Sequence, residues 1–113
     1  MKAQKIILLA FFTLMFAPLF AQQKQQSDTI AVAGECGMCK NRIQKTLKMD
    51  GITTAVWDTE SKLLSVTYDP SVISNDEIQK KIAAVGHDTP KYTAPDDVYN
   101  KLPGCCKYDR KKE

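Results

Sequence analysis

Five side chains hold the reactive chemistry of this chain: Cys36, Cys39, Cys105, Cys106 and the single histidine, His87. Cys36-Gly-Met-Cys39 sets two thiols at CxxC spacing. Such a pair can share one soft ion, close as a disulfide, or exchange disulfides with another protein. Thiolates with no carboxylate or imidazole beside them select Cu(I) and other thiophilic ions over Mg, Ca or Mn. A structural zinc site asks for four ligands, and this loop offers two. Cys39 falls at a predicted helix start, where free amide groups and the helix dipole favour a thiolate. Gly34 and Gly37 let the loop bend so that both sulfurs face outward, while Met38 between the cysteines reads as a side chain that fills a packing gap more readily than as a thioether ligand.

The elements that must position this loop can be read from periodicity. Residues 28–33 are short and β-branched, with Ile30 and Val32 on one face, and predict a strand. Cys39, Ile43 and Leu47 recur at i, i+4, i+8, a helical face that ends at Gly51. Residues 52–58 and 63–68 predict two more strands joined through Thr59-Glu-Ser61; Leu64, Val66 and Tyr68 alternate with Leu63, Ser65 and Thr67. Ser74 with Glu77 forms a capping box, and Ile78, Ile82 and Val85 mark a second helix closed by Gly86. Residues 87–92 predict a weak fourth strand. The order β-α-β-β-α-β is an α+β, ferredoxin-like sandwich, complete by Tyr92. Residues 93–113 predict an irregular tail with a single turn near 96–100.

The stretch Gly34-Glu-Cys36-Gly-Met-Cys39-Lys-Asn-Arg42 resembles the metal loop of the heavy-metal-associated domain family, which includes copper metallochaperones and periplasmic mercury-binding proteins. Cys36 and Cys39 match the family's two metal cysteines, and Asn41-Arg42 match its helix start. Gly51-Ile52, Tyr68-Asp69-Pro70 and Gly86-His87 match its later landmarks, so the resemblance spans residues 28–92. The loop is one residue shorter before the first cysteine, and the family's loop methionine is absent. The resemblance implies binding of Cu(I), or of Hg(II), Cd(II) or Zn(II), and transfer of the ion between proteins, often to or from a membrane P-type ATPase. It implies no enzymatic turnover.

Two further groups are candidates for the same site. The loop after the second helix lies at the same end of this fold as the loop after the first strand, so His87 is expected near Cys36 and Cys39. It can serve as a third ligand, as a group that stabilises the thiolates, or as an exposed loop histidine. Cys105-Cys106 follows a Pro-Gly turn. The twelve residues before it span up to ~40 Å, twice the ~20 Å of a six-residue strand. The tail can therefore return to the loop and form a thiolate cluster, or staple itself there by disulfides.

The rest of the composition sets the context. Of 113 residues, 43% are hydrophobic and 26% charged, which excludes wholesale disorder and a polytopic membrane protein. A net charge of +3 offers no nucleic-acid footprint. Residues 1–21 begin with Lys2 and Lys5, continue as an apolar run too short for a spanning helix, and end at Ala21. This predicts a cleaved export signal, with an uncleaved single-span anchor as the alternative, and a periplasmic or secreted protein with no membrane attachment after signal removal. Residues 22–27 predict a flexible leader. Export into oxidising surroundings keeps two other readings open: a thiol–disulfide oxidoreductase, or a structural or interaction module with bridged cysteines.

Overall fold

The computed structural model describes residues 24–110. The predicted export signal lies outside the described residues. Strand β1 runs Gln26–Ala31, helix α1 Gly37–Thr46, β2 Ile52–Trp57, β3 Leu63–Tyr68, helix α2 Asn75–Ala84 and the short helix α3 Asp96–Asn100, followed by a 3-10 turn at Gly104–Cys106. Among the described residues no helix is long and apolar enough to cross a membrane.

The sheet is antiparallel in the order β1-β3-β2. Register follows from alternation: Ile30 pairs with Leu64 and Trp57 with Leu64 from the other side. Leu64, Val66 and Tyr68 are buried while Leu63, Ser65 and Thr67 face away, as the pattern predicts. On the core side the sheet meets the Cys39–Ile43–Leu47 stripe of α1 and Ile78 and Ile82 of α2. The Ser74–Glu77 capping box forms in full at the start of α2. Tyr68 Oη and Asn75 Nδ2 both donate to Asp28 Oδ2, at 2.6 and 2.8 Å, tying β1 to β3 and α2.

The fold departs from expectation at residues 87–92, which form no strand. Pro90 has no N–H for a ladder, and the chain turns where Thr89 N–H donates to the Tyr92 carbonyl at 2.8 Å. A single backbone bond, Ala33 N–H to the Asp88 carbonyl at 3.0 Å, joins this segment to the chain after β1. The tail packs beside this segment through Gly86 and Asp88. Its Leu102, Cys106 and Tyr108 belong to the main hydrophobic cluster, so the core is not complete at Tyr92. Leu102 packs where a side chain on Gly86 would clash, and Gly86 has φ +111, a conformation that favours glycine.

Polar contacts fix the tail. Tyr108 Oη donates to the Gly86 carbonyl at 2.7 Å and accepts from Asp88 N–H at 3.0 Å. Arg110 grips the Asp88 carboxylate with Nε at 3.1 Å and Nη2 at 2.8 Å, and its Nη1 reaches Asp96 at 2.9 Å. Burial pushes the Asp88 carboxyl up, but Arg110 and the Ala94 N–H outweigh it and hold the group below 3.8. A carboxyl depressed in the folded state stabilises fully above its unfolded pKa and loses that contribution as pH falls through the lower folded value. Arg110→Ala should therefore cost about 1–3 kcal/mol at neutral pH. In urea titrations repeated down an acid series, the gap between variant and parent should close below the ordinary aspartate range.

Candidate metal centre

Cys36 is the N-cap of α1, in extended backbone geometry, and no side chain caps the helix there. The helix starts two residues earlier than the spacing predicts, at Gly37, which places Cys39 within the first helical turn rather than at its start. There it is fully buried, against the expectation that both sulfurs face outward. The stripe that predicted the helix explains this: the face that carries Ile43 and Leu47 inward also carries Cys39.

The preceding loop is held from two sides. Trp57 lies against Gly34 so closely that an added Cβ would stand 2.9 Å from its ring. The Trp57 indole N–H donates to the Val32 carbonyl at 3.0 Å. His87 is fully buried, with Nδ1 2.8 Å from the Ala33 carbonyl and its ring stacked 5.9 Å from that of Tyr108. A carbonyl only accepts, so Nδ1 carries the proton. Burial, first of its influences, lowers the His87 pKa and favours the neutral ring. Nε2 is buried without a hydrogen-bond partner among the described residues. His87 is thus neither an exposed loop residue nor a member of the sulfur group; its contact is with the backbone that leads into the loop.

The tail brings its cysteines to the loop. Sγ atoms of Cys36, Cys39 and Cys106 lie within 4.8 Å of one another. Cys36 is 3.8 Å from Cys39 and 3.5 Å from Cys106. Cys105, exposed, stands 3.0 Å from Cys36 and 4.0 Å from Cys106 but falls outside the three-sulfur group. All four are free thiols. Two contacts escaped the sequence reading. Arg42 Nη1 donates to the Cys106 sulfur at 3.4 Å, and Met38 Sδ lies 3.4 Å from Cys105. Arg42 sits one turn after Cys39, a spacing that could have flagged it. Nothing local marks Met38, because its neighbour arrives from the far end of the chain.

The two loop cysteines differ in acidity. The bond to Cys105, then the backbone N–H of Cys39, bring Cys36 down to about 6. Burial pushes Cys39 up to about 11. An anion at a helix start and a protonated thiol in the core are what these surroundings dictate.

The family model for the heavy-metal-associated domain matches residues 29–88, just over half of the chain. The chain belongs to the heavy-metal-associated domain family. Cys36, Cys39 and His87 lie inside the matched span, and Cys105 and Cys106 beyond it. A copper-exporting P-type ATPase of Staphylococcus saprophyticus is 37% identical over 54 residues, 47% of this chain and 7% of the ATPase. A zinc-transporting ATPase of Synechocystis is 37% identical over 72 residues, 63% of this chain and 9% of that protein. The chain therefore spans less than a tenth of the curated relatives it matches. Among solved structures, the CopZ metallochaperone superposes with a TM-score of 0.55 at 30% identity, over 57% of this chain and 98% of CopZ. This heavy-metal-associated domain thus shares its α+β frame with a metallochaperone and adds a tail that completes its core.

Two outcomes follow from the burial contrast. In the reduced, metal-free protein, iodoacetamide should label Cys36 with a pH midpoint near 6 while Cys39 stays unmodified until unfolding, as peptide mapping would show. Cys39→Ser should destabilise by about 1–3 kcal/mol because it buries a hydroxyl in the core, and Cys36→Ser should cost far less in the same denaturant titration.

Proposed function

We propose that this protein is an exported carrier of a soft metal ion, Cu(I) foremost, which it takes up on Cys36, Cys39 and Cys106 and hands on by thiolate exchange. The observation that carries the reading is the three-sulfur group, within 4.8 Å, with no carboxylate or imidazole in it. Three thiolates make a low-coordinate soft site, which suits Cu(I) better than the harder divalent ions. Arg42 beside Cys106 offsets part of the negative charge such a site collects. Membership in the heavy-metal-associated family and likeness to a copper-exporting ATPase support the same ion, while the zinc-transporting relative makes Zn(II) the competitor to test.

Transfer would begin at the exposed rim. Cys36 is half-buried and already acidic, Cys39 is deep, and an incoming thiolate from a partner reaches the ion from the Cys36 side. A three-coordinate site can exchange one sulfur at a time without releasing a bare ion. The partner would be another thiol-bearing metal protein, such as the metal-binding domain of a P-type ATPase, and the role needs no turnover. Export rests on the apolar run of residues 1–21; an N-terminus near Gln22 in the isolated protein is the expected result.

A second reading has its own observation. An acidic, accessible Cys36 and a buried, weakly acidic Cys39 are the asymmetry of an attacking and a resolving thiol. Cys105, 3.0 Å away, covers the sulfur that would attack. The two readings separate in one experiment. The reduced protein, offered Cu(I) and Zn(II) at equal concentration against a calibrated chelator, should hold Cu(I). Cys106→Ala should weaken that binding on the order of a hundredfold, because a tethered third sulfur acts at high effective concentration. Displacement of Cu(I) by Zn(II), or rapid disulfide exchange with a dithiol substrate in the absence of metal, would overturn the carrier reading.

A further inference from the structure

The fourth sulfur does not belong with the other three, and its position has a chemical meaning. One ion held tetrahedrally by four thiolates at ~2.3 Å places all six sulfur pairs about 3.8 Å apart. Cys105 does not meet that condition: it is close to Cys36 and Cys106 but outside the group that includes Cys39. It lies instead between two soft atoms, the Cys36 sulfur at 3.0 Å and the Met38 thioether at 3.4 Å. Cys105 and Met38 are both exposed, Met38 by 52%. An exposed apolar side chain at this position contributes little to packing, whereas a thioether beside a thiol is a soft donor pair.

We propose that the chain holds a second Cu(I) at this rim, bound by Cys105 and Met38 and bridged through the Cys36 thiolate to the inner ion on Cys36, Cys39 and Cys106. A thiolate has lone pairs enough to bind two ions at once. Charge argues the same way. Four thiolates around one monovalent ion leave three negative charges uncompensated, and Arg42 is the cation in contact with the cluster. Two monovalent ions on the same four thiolates leave two, the same as one ion on three thiolates, so the outer ion enters in place of the Cys105 proton at no cost in net charge. This inference rests on the carrier reading and deepens it: the outer ion, open to solvent, is delivered first, and the inner ion follows by the thiolate exchange already described. Formation of the outer site exchanges the Cys105 thiol proton for copper, with no change in oxidation state.

Anaerobic native mass spectrometry of the reduced chain, titrated with Cu(I) delivered as its acetonitrile complex, tests it. If residues 1–21 are still attached, the titration is run in detergent. The parent should fill to two copper ions per monomer. Cys105→Ser and Met38→Leu should each stop at one, with that ion held as in the parent; both positions are exposed, and Met→Leu nearly conserves volume. A chelator should strip one copper from the doubly loaded parent before the other. Saturation of the parent at one ion, a second ion present only in a dimer, or variants that still fill to two would each overturn the second site and leave the carrier reading intact. Failure of the parent to bind Cu(I) at all would overturn both.

Discussion

The grip of Tyr108 and Arg110 on Gly86 and Asp88 is the contact on which the rest of the arrangement depends. Those four residues replace a strand ladder with a side-chain staple. The Tyr108 hydroxyl sits between a backbone donor and a backbone acceptor, and Arg110 closes a two-toothed pair on Asp88. Charge-assisted pairs of this geometry are the stronger class of hydrogen bond. They hold the segment that carries Cys105 and Cys106 at the end of the fold where the Cys36 loop opens. Without them the family frame would present two sulfurs, and with them it presents four.

The loop itself is made rigid from below rather than by its own sequence. Trp57 fills the space under Gly34, and His87 binds the carbonyl of Ala33. The buried Tyr108 ring also stacks on His87, so the staple and the loop support share a side chain. A soft-metal site gains from this arrangement because its ligands are placed before the ion arrives, and little ordering is left to oppose binding.

Much of the frame was legible in the residues. Alternation at Leu63–Tyr68 gave the strand to the residue, and Ser74 with Glu77 located the second cap, because both signals act over a few neighbouring positions. The CxxC pair and its place after the first strand were equally local. Much of the rest depends on a distant partner. Residues 87–92 looked extended until Asp88 met Arg110, twenty-two positions away. Cys39 was expected to face outward, although the stripe it shares with Ile43 and Leu47 already pointed it inward. His87 was correctly drawn to the loop end of the fold, but its bond to Ala33 depends on a backbone path that periodicity does not describe. Chain length showed that Cys105 and Cys106 could return, whereas which sulfur meets which follows from the packing of Leu102 and Tyr108.

Trp57 is the single tryptophan of the chain and is fully buried. Its indole ring and the Cβ of Cys39 flank the same glycine, at 2.9 and 3.3 Å from where a Cβ on Gly34 would sit. The fluorophore therefore shares Gly34 as a neighbour with Cys39, with Lys62 over its ring at 5.5 Å. An ion held by Cys39 would lie near the only indole in the protein, so intrinsic emission is the natural label-free signal to follow for its arrival and departure.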